Sequence, residues 1–223
     1  MDQKLLSRAM EDYMKAICKL QDRYGPVPTS VLAEDMGVAP ASVTNMCKKL
    51  AELKLVIYEP YQGVTFSPTG HKLALEIVRH HRLIELYLAE ALDVPWDRVH
   101  EEAERLEHVI SEDLEERMAA ALGDPKFDPH GAPIPTRSGK VFRQDSGRLV
   151  DMNVGDRLIV VEVDDADPEL LRYLGGLGIF PGTEITLLVQ APFEGPLTLD
   201  IGDAQHNLGH QAAKSVLVAV QEL

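Results

Sequence analysis

The chain has 223 residues, of which 45% are apolar, and a formal net charge of −14. This length allows two or three small domains with ordinary buried cores. No apolar run approaches the ~20 residues that span a bilayer, and the first residues lack the apolar segment of a signal peptide. Two cysteines are too few for a disulfide scaffold or a Cys-rich zinc site. We therefore expect a cytoplasmic protein with no membrane partner.

The acidic excess is confined to the part of the chain after residue 70. Residues 1–70 contain eight Lys or Arg and eight Asp or Glu, whereas the remainder contains 14 bases and 28 acids. A neutral N-terminal segment can bind DNA if its few cations face the phosphates. The acidic remainder can bind cations.

The first 70 residues predict a winged helix-turn-helix. Apolar residues recur at helical spacing over 4–24, and a short helix over 31–36 is joined through Gly37 to a helix from Pro40 to about residue 53. Two β-prone runs, 55–58 and 64–66, flank a Pro/Gly bend and predict a hairpin. The alternative is a small helical domain with an incidental hairpin.

The rest of the chain predicts a helical domain, a linker and a β-rich domain. Helices are expected over 69–92, from Pro95 to about 108, and on to Leu122, and residues 123–148 have the Gly/Pro-rich composition of a linker. Residues 149–223 predict an SH3-like β-barrel, with strands at Arg157–Val163, Glu184–Gln190, Leu197–Ile201 and Val216–Val220. The predicted fold is multidomain α+β, with domains at 1–70, 71–122 and 149–223.

Histidines and carboxylates share helix faces in the middle segment. His81 and Glu85 are four residues apart and lie on one face. His100, Glu104, Glu107 and His108 span roughly 100° of the next helix. A solvated charged face explains the neighbouring Glu and Arg residues, but it explains poorly two histidines and two carboxylates beside apolar positions. The pattern favours a divalent-metal site.

Five motifs stand out along the chain: the Met10–Ile17 segment, the helix-turn-helix at Pro40–Met46, the turn Ser67–Gly70, the His81–Glu85 segment and the Glu107-His108 pair. Together they resemble the diphtheria-toxin-repressor and manganese-transport-regulator family. The β-rich C-terminal segment is similar to the SH3-like domain of the iron-sensing branch. The resemblance implies a dimeric, metal-activated repressor with domains for DNA binding (1–70) and for metal binding and dimerisation (71–122).

The resemblance also implies two adjacent metal sites. One would use His81, Glu85 and His100. The iron branch adds two ligands from the SH3-like domain, but their region, residues 163–167, is short here, so the sequence places no such ligand. The other site would use Asp12, Glu104, Glu107 and His108. The remaining histidines, His130 among them, match no ligand of the family.

Ligand type favours Mn²⁺ as the activating ion, with Fe²⁺ as the alternative. The iron sensors of the family have Met and Cys where this chain has Asp12 and Glu104, and hard oxygen ligands suit Mn²⁺ better than thiolate or thioether does. Co²⁺, Zn²⁺ and Cd²⁺ are expected to substitute in vitro. Lys15 stands where manganese regulators without an SH3-like domain have a ligating Glu, so we do not expect their second metal position.

The helix beginning at Pro40 is expected to lie in the major groove of a palindromic operator bound by a homodimer. The predicted DNA-contacting residues are Ala39, Pro40, Ala41, Ser42, Thr44, Asn45, Lys48 and Lys49. Asn45 can reach an adenine edge, and the lysines can hold phosphates.

A metal-dependent hydrolase and a metal-storage protein are the competing functions. The zinc-protease pattern His-Glu-x-x-His fails because residue 104 is Glu, and the sequence has neither a Gly-rich phosphate loop nor a nucleophile elbow. A storage protein would not need a winged helix. We therefore expect neither an enzyme nor a small-molecule substrate, and the sequence leaves the operator and the regulated genes open.

Overall fold

A computed structural model describes residues 6–202 and 204–221, apart from the side chain of Asp22. The chain divides into two units, one of residues 1–80 and 135–140 and the other of residues 81–134 and 141–223. Within the described ranges, none of the helices combines the length and apolarity that crossing a bilayer requires.

The first unit begins with three helices. Helix α1 (Arg8–Tyr24) starts at Ser7, whose hydroxyl accepts a hydrogen bond from Met10 N, and it ends at Gly25. Helix α2 spans Thr29–Asp35, and α3 spans Pro40–Glu52 with the proline in its first turn. The first residues of the helix predicted from residue 4 lie outside the described ranges.

A β-hairpin completes the winged helix. Strands β1 (Val56–Glu59) and β2 (Gly63–Phe66) pair antiparallel, with Val56 opposite Phe66. Their buried faces join a core built on α1 and α3, whose central residues are Met14, Ile17, Val43, Cys47, Leu50 and Val64. The order helix, helix-turn-helix, hairpin therefore matches the expectation for residues 1–70.

Helix α4 (Pro68–Leu92) contributes residues 68–80 to the first unit and 81–92 to the second. The second unit also contains α5 (Val99–Leu106) and α6 (Glu112–Ala121), which starts at an N-cap formed by Ser111. The prediction that the second helix begins at Pro95 is wrong, because Pro95–Arg98 form a turn before α5.

The C-terminal part of the second unit is a six-stranded antiparallel sheet. Its strands are β3 (Gly147–Arg148), β4 (Arg157–Val163), β5 (Glu184–Gln190), β6 (Leu197–Ile201), β7 (Ala204–Leu208) and β8 (Val216–Val220). They are arranged in the order β3-β8-β4-β5-β6-β7. The four predicted strands are confirmed as β4, β5, β6 and β8. Strand β7 and two helices, α7 (Pro168–Gly176) and α8 (His210–Ala213), were not predicted.

The expected linker contains a tight, buried loop over residues 126–134, called here the Asp128 loop. Asp128 N donates to Ala132 O, and Ile134 N donates to Lys126 O. The carboxylate of Asp128 accepts hydrogen bonds from the amides of His130 and Ala132, both at 2.9 Å. Val163 N, at the end of β4, donates to His130 O. These bonds hold the loop against the sheet, which the Gly/Pro-rich composition did not reveal.

Gly131 allows the close approach of this loop to β4. Its φ is +89°, and a Cβ built there would lie 1.9 Å from Val161 O. Gly123 has a similar φ of +72° but nothing within 4 Å of such a Cβ. The two glycines therefore share a backbone requirement and differ in steric room.

We expect Gly131→Ala to lower the free energy of unfolding of the second unit by about 3 kcal/mol, combining left-handed backbone strain with overpacking. Gly123→Ala should lower this free energy by only about 1–2 kcal/mol, because the new Cβ causes backbone strain but no steric overlap. Urea unfolding of the full chain, followed by circular dichroism, measures both. Equal losses for the two variants would show that the contact with β4 does not restrain the loop.

Candidate metal centre

Helix α4 presents His81 and Glu85 to the interior of the second unit. They are four residues apart, so both side chains lie on the same helix face, and they are only 5% and 0% exposed. A buried carboxylate is costly unless cations or hydrogen bonds compensate for its lost hydration. The partners of these two side chains therefore define the site.

His81 lies between two carboxylates. Its Nε2 is 2.9 Å from Glu85 Oε1, and its Nδ1 contacts Glu107 Oε2. An ionised carboxylate only accepts hydrogen bonds, so a contact with one requires a hydrogen on the histidine nitrogen. The imidazole thus joins the ligands expected for two separate sites into one continuous cluster.

His100, from α5, contacts the same carboxylate oxygen, and its Nδ1 is 3.1 Å from His81 Nε2. Its Nδ1 is 2.9 Å from Glu85 Oε1 and 3.4 Å from Asp165 Oδ2. Burial alone would lower the pKa of His100, but Asp165 and Glu85 outweigh burial and raise it to about 10. At neutral pH a proton therefore occupies the position on this nitrogen that a metal ion would take.

Glu85 is held in its charged form by its histidine neighbours. Burial raises the pKa of its carboxyl group, but His81 and His100 outweigh burial and lower the pKa to about 2. Only Glu85 Oε1 makes these contacts. Within residues 6–202 and 204–221, no hydrogen-bond donor reaches the buried Oε2.

Glu104, Glu107 and His108 extend the cluster along α5 and its C-terminal end. Glu104 Oε1 is 3.7 Å from His100 Nε2 and 3.9 Å from His81 Nδ1. Glu107 Oε1 is 3.4 Å from His108 Nε2, and both of these side chains are buried. Asp12 is half-buried on α1 of the first unit.

The residues of the second unit suit a divalent cation. The donor atoms of His81, His100 and Glu104 lie within 4.8 Å of one another, as do those of Glu85, His100 and Asp165. Imidazole nitrogen with carboxylate oxygen is a donor set that Mn²⁺, Fe²⁺ and Zn²⁺ accept. Glu85 Oε2, which is buried and has no donor within the described part of the chain, is the kind of atom that a cation would compensate.

Asp165 is a site residue that the sequence did not identify. It lies in the loop between β4 and α7, in the segment 163–167 where the sequence could not place the ligands implied by the resemblance. Its contact with His100 shows that the β-rich domain does supply a carboxylate to this cluster. Sequence spacing could not identify it, because three aspartates, Asp164, Asp165 and Asp167, lie close together in this short loop and no pattern distinguishes one from the others.

Asp128 is a second carboxylate that composition concealed. It is 5% exposed, with Oδ2 3.6 Å from Arg82 Nε. Burial, together with the nearby charge of Glu85, raises its pKa well above the usual range.

Most of the residues predicted to contact DNA are exposed at or near the start of α3. Val43, Cys47 and Leu50 are buried, whereas Ala39, Pro40, Ala41, Ser42, Asn45, Lys48 and Lys49 are exposed and Thr44 is half-buried. Burial raises the pKa of Cys47 to about 11, so this thiol is a packing group and not a reactive thiolate. At the hairpin turn, Tyr61 is fully exposed.

Three family models together match nearly the whole chain. Residues 5–64 match the iron dependent repressor N-terminal DNA binding domain, residues 67–136 the iron dependent repressor metal binding and dimerisation domain, and residues 147–220 the FeoA domain. The diphtheria toxin repressor of Corynebacterium efficiens is 31% identical over 189 residues, which cover 80% of this chain and 82% of the relative. The chain belongs to the iron-dependent repressor family.

Two further similarities extend over almost the full length. The iron-dependent repressor IdeR of Mycobacterium tuberculosis is 29% identical over 222 residues, covering 93% of this chain and 95% of the relative. A solved manganese-dependent transcriptional repressor in complex with manganese is 37% identical, has a TM-score of 0.89, and matches 95% of this chain and 100% of its own. The expected family and the three-part α+β fold are thereby confirmed. The function is that of a metal-dependent transcriptional repressor.

We expect Mn²⁺ binding to release a proton from His100, since a ligating imidazole nitrogen must be deprotonated and the pKa of His100 is raised to about 10. Below that pH the proton competes with the metal, so raising the pH should strengthen binding, by about tenfold per unit for one released proton. Calorimetry in buffers of different ionisation enthalpy counts the protons.

His100→Gln should remove one released proton, whereas His71→Gln, at an exposed position of α4, should not. Proton release that is identical in wild type and His100→Gln would mean that His100 is not a ligand.

Proposed function

We propose that the chain is a cytoplasmic protein that binds palindromic operator DNA as a homodimer when Mn²⁺ is bound. In doing so it represses genes of metal uptake. Fe²⁺ is the alternative activator, and we expect no catalytic activity. The observation that carries the proposal is the cluster formed by buried His81 and Glu85 with half-buried His100, in a chain that also has a winged helix. Buried acids and imidazoles at these separations are a poor structural core but a good cation site.

We propose two regulatory ligand sets. His81, Glu85 and His100, with Asp165 as a further ligand, form the first. Asp12, Glu104, Glu107 and His108 form the second. A bound divalent cation would supply the positive charge that offsets the repulsion among these carboxylates.

The second ligand set accounts for the coupling between metal and DNA. Asp12 belongs to the same unit as the DNA-contacting helix α3, whereas Glu104, Glu107 and His108 belong to the other unit. Ligands drawn from both units make the position of α1 depend on metal occupancy. By linkage, DNA binding must tighten metal binding by the same factor.

DNA recognition is assigned to α3. Its small exposed residues, Ala39, Pro40, Ala41 and Ser42, permit close approach to base edges, and Thr44 and Asn45 can donate or accept hydrogen bonds there. Lys48 and Lys49 would neutralise phosphates without reading sequence. A homodimer would match the two halves of a palindrome, and the exposed apolar side chains Leu106, Val109 and Leu114 make the α5–α6 region a candidate dimer surface.

Oxygen ligands support Mn²⁺ over Fe²⁺. The second ligand set contains three carboxylates and one imidazole and has no sulfur, and hard oxygen donors suit Mn²⁺. The similar solved repressor was in complex with manganese, whereas the similar IdeR is iron-dependent. The ligand chemistry therefore favours Mn²⁺ as the activating ion.

Asp12→Ala should abolish Mn²⁺-stimulated DNA binding while leaving fold and dimer intact, because it removes the only ligand that the DNA-binding unit contributes to the proposed site. We expect at least a ~100-fold loss, the upper part of the range typical for allosteric coupling. The probe is a duplex selected from random sequence by the wild-type protein with Mn²⁺, and the readout is fluorescence anisotropy.

Glu11→Ala, one residue away on α1, is the matched control and should respond to Mn²⁺ like the wild type. Unchanged stimulation in Asp12→Ala would remove Asp12 from the regulatory mechanism.

Ligand softness can be tested by exchanging two donors. The double variant Asp12→Met/Glu104→Cys should move activation from Mn²⁺ towards Fe²⁺ or Co²⁺, because thioether and thiolate favour softer ions than carboxylate does. Titrating each metal against binding of the same selected duplex under anaerobic conditions gives the ranking. An unaltered ranking would show that these two side chains do not set the metal preference.

A further inference from the structure

The turn that precedes α5 contacts the β-rich part of the second unit through two side chains. Trp96 packs against Phe180, with the ring centroids 4.7 Å apart and an angle of 52° between the rings. Asp97 Oδ2 accepts a hydrogen bond of 2.9 Å from Nη1 of Arg172, which lies on α7. All four residues belong to the second unit. Neither Trp96 nor Asp97 belongs to the ligand sets of the proposed function, so their contacts need another explanation.

Gly175 marks a close approach of α7 to the same turn. A Cβ built on Gly175 would lie 3.2 Å from Trp96 Nε1 and 3.2 Å from Phe180 Cζ. Glycine weakens a helix relative to alanine, and here the missing side chain leaves room for the indole. The next residue, Gly176, is exposed and has nothing within 4 Å of such a Cβ. A side chain at 175 would therefore meet Trp96, whereas one at 176 would not.

The position of α7 also determines the position of Asp165. Asp167 starts the helix, and its Oδ1 accepts hydrogen bonds from Glu169 N at 2.8 Å and Leu170 N at 3.3 Å. Asp165 lies only two residues before this cap. A shift of α7 away from the turn would therefore move Asp165 away from His100, to which its Oδ2 now lies at 3.4 Å.

The other partner of that contact is tied to the turn as well. His100 lies in the first turn of α5, three residues after Asp97. The contacts of the turn with α7 therefore join the two segments that carry His100 and Asp165.

We propose that Trp96, Asp97, Arg172 and Gly175 are positioning residues, which dock α7 on the start of α5 and thereby hold Asp165 at the first ligand set. None of the four binds the metal in this account, and all act through Asp165. The inference rests on the proposed function, because it concerns metal binding by that ligand set. By linkage, metal binding there must favour the docking of α7 in return.

The main test compares Gly175→Leu with Gly176→Leu in full-length protein. Both carry Asp12→Ala, which weakens the second ligand set so that calorimetry with Mn²⁺ reports on the first. Leucine at 175 overlaps Trp96 and should weaken Mn²⁺ binding about tenfold, the lower end of the range for residues that orient metal ligands. Leucine at 176 enters open space and should leave the affinity of the Asp12→Ala parent unchanged.

Arg172→Gln gives a test in which positioning and long-range electrostatics predict opposite signs. Removing a positive charge near a cation site would by itself strengthen Mn²⁺ binding. Positioning predicts weaker binding, by at most about fivefold, because the Arg172 side chain is 55% exposed and an exposed ion pair contributes little free energy. Arg172→Lys keeps the charge and should retain most of the affinity. These variants test the same claim if Gly175→Leu does not fold.

Fluorescence of the metal-free protein measures the docking itself, since Trp96 is the only tryptophan in the sequence. The indole is half-buried, so Gly175→Leu should shift its emission to longer wavelength. Gly176→Leu should leave the emission unchanged.

Combination with Asp165→Asn shows whether the effect passes through Asp165. In that background Gly175→Leu should cause no further loss of Mn²⁺ affinity, because the ligand that it displaces is already removed. Unchanged emission, undiminished Mn²⁺ binding, or an equal further loss in the Asp165→Asn background would each overturn the positioning role. A parent protein that binds no Mn²⁺ at all would instead overturn the proposed function, so the two failures are distinguishable.

Discussion

The contact of His81 and His100 with the buried carboxylate of Glu85 is the interaction on which the rest of the second unit depends. A carboxylate with no exposure is costly in a protein interior unless cations or donors compensate for it. Here two imidazoles from different helices supply that compensation, and Asp165 adds a further negative charge beside His100. Burying these groups lowers the stability of the folded state, so a role in ligand binding explains the cluster better than a structural role does.

The same cluster joins three parts of the second unit. Helix α4 contributes His81 and Glu85, α5 contributes His100, and the β4–α7 loop contributes Asp165. The Asp128 loop is held to β4 by backbone bonds and by the close approach of Gly131. The helical and β-rich parts of this unit therefore share one polar cluster. Binding of a cation to that cluster should affect both parts.

Apolar periodicity and the spacing of His and Glu residues were sufficient to predict the winged helix and part of the candidate metal site. The winged helix could be predicted because α1, α3 and the hairpin carry clear apolar patterns and a proline in the first turn of α3. The pair His81 and Glu85 could be predicted because a spacing of four places both on one helix face. The resemblance to a known family then separated the ligands into sets, which spacing alone could not do.

The features that the sequence did not predict depend mainly on tertiary contacts. Residues Pro95–Arg98 form a turn and α5 begins only at Val99, although the sequence permits an earlier start of the helix. Asp165 and Asp128 lie in loops, where no periodicity marks a buried side chain. His130 lies in the same loop as Asp128, and its Nε2 donates to Trp96 O. Polar loop residues whose positions depend on tertiary contacts are the ones that a single sequence does not reveal.

Anomalous diffraction at the manganese absorption edge, from crystals of the full-length protein grown with Mn²⁺, would locate the bound ion. We expect a strong anomalous peak within bonding distance of His81, Glu85 and His100, with the imidazole–carboxylate hydrogen bonds replaced by metal–ligand bonds. The absence of a peak there at saturating Mn²⁺, with the His81–Glu85 and His100–Glu85 hydrogen bonds intact, would contradict it.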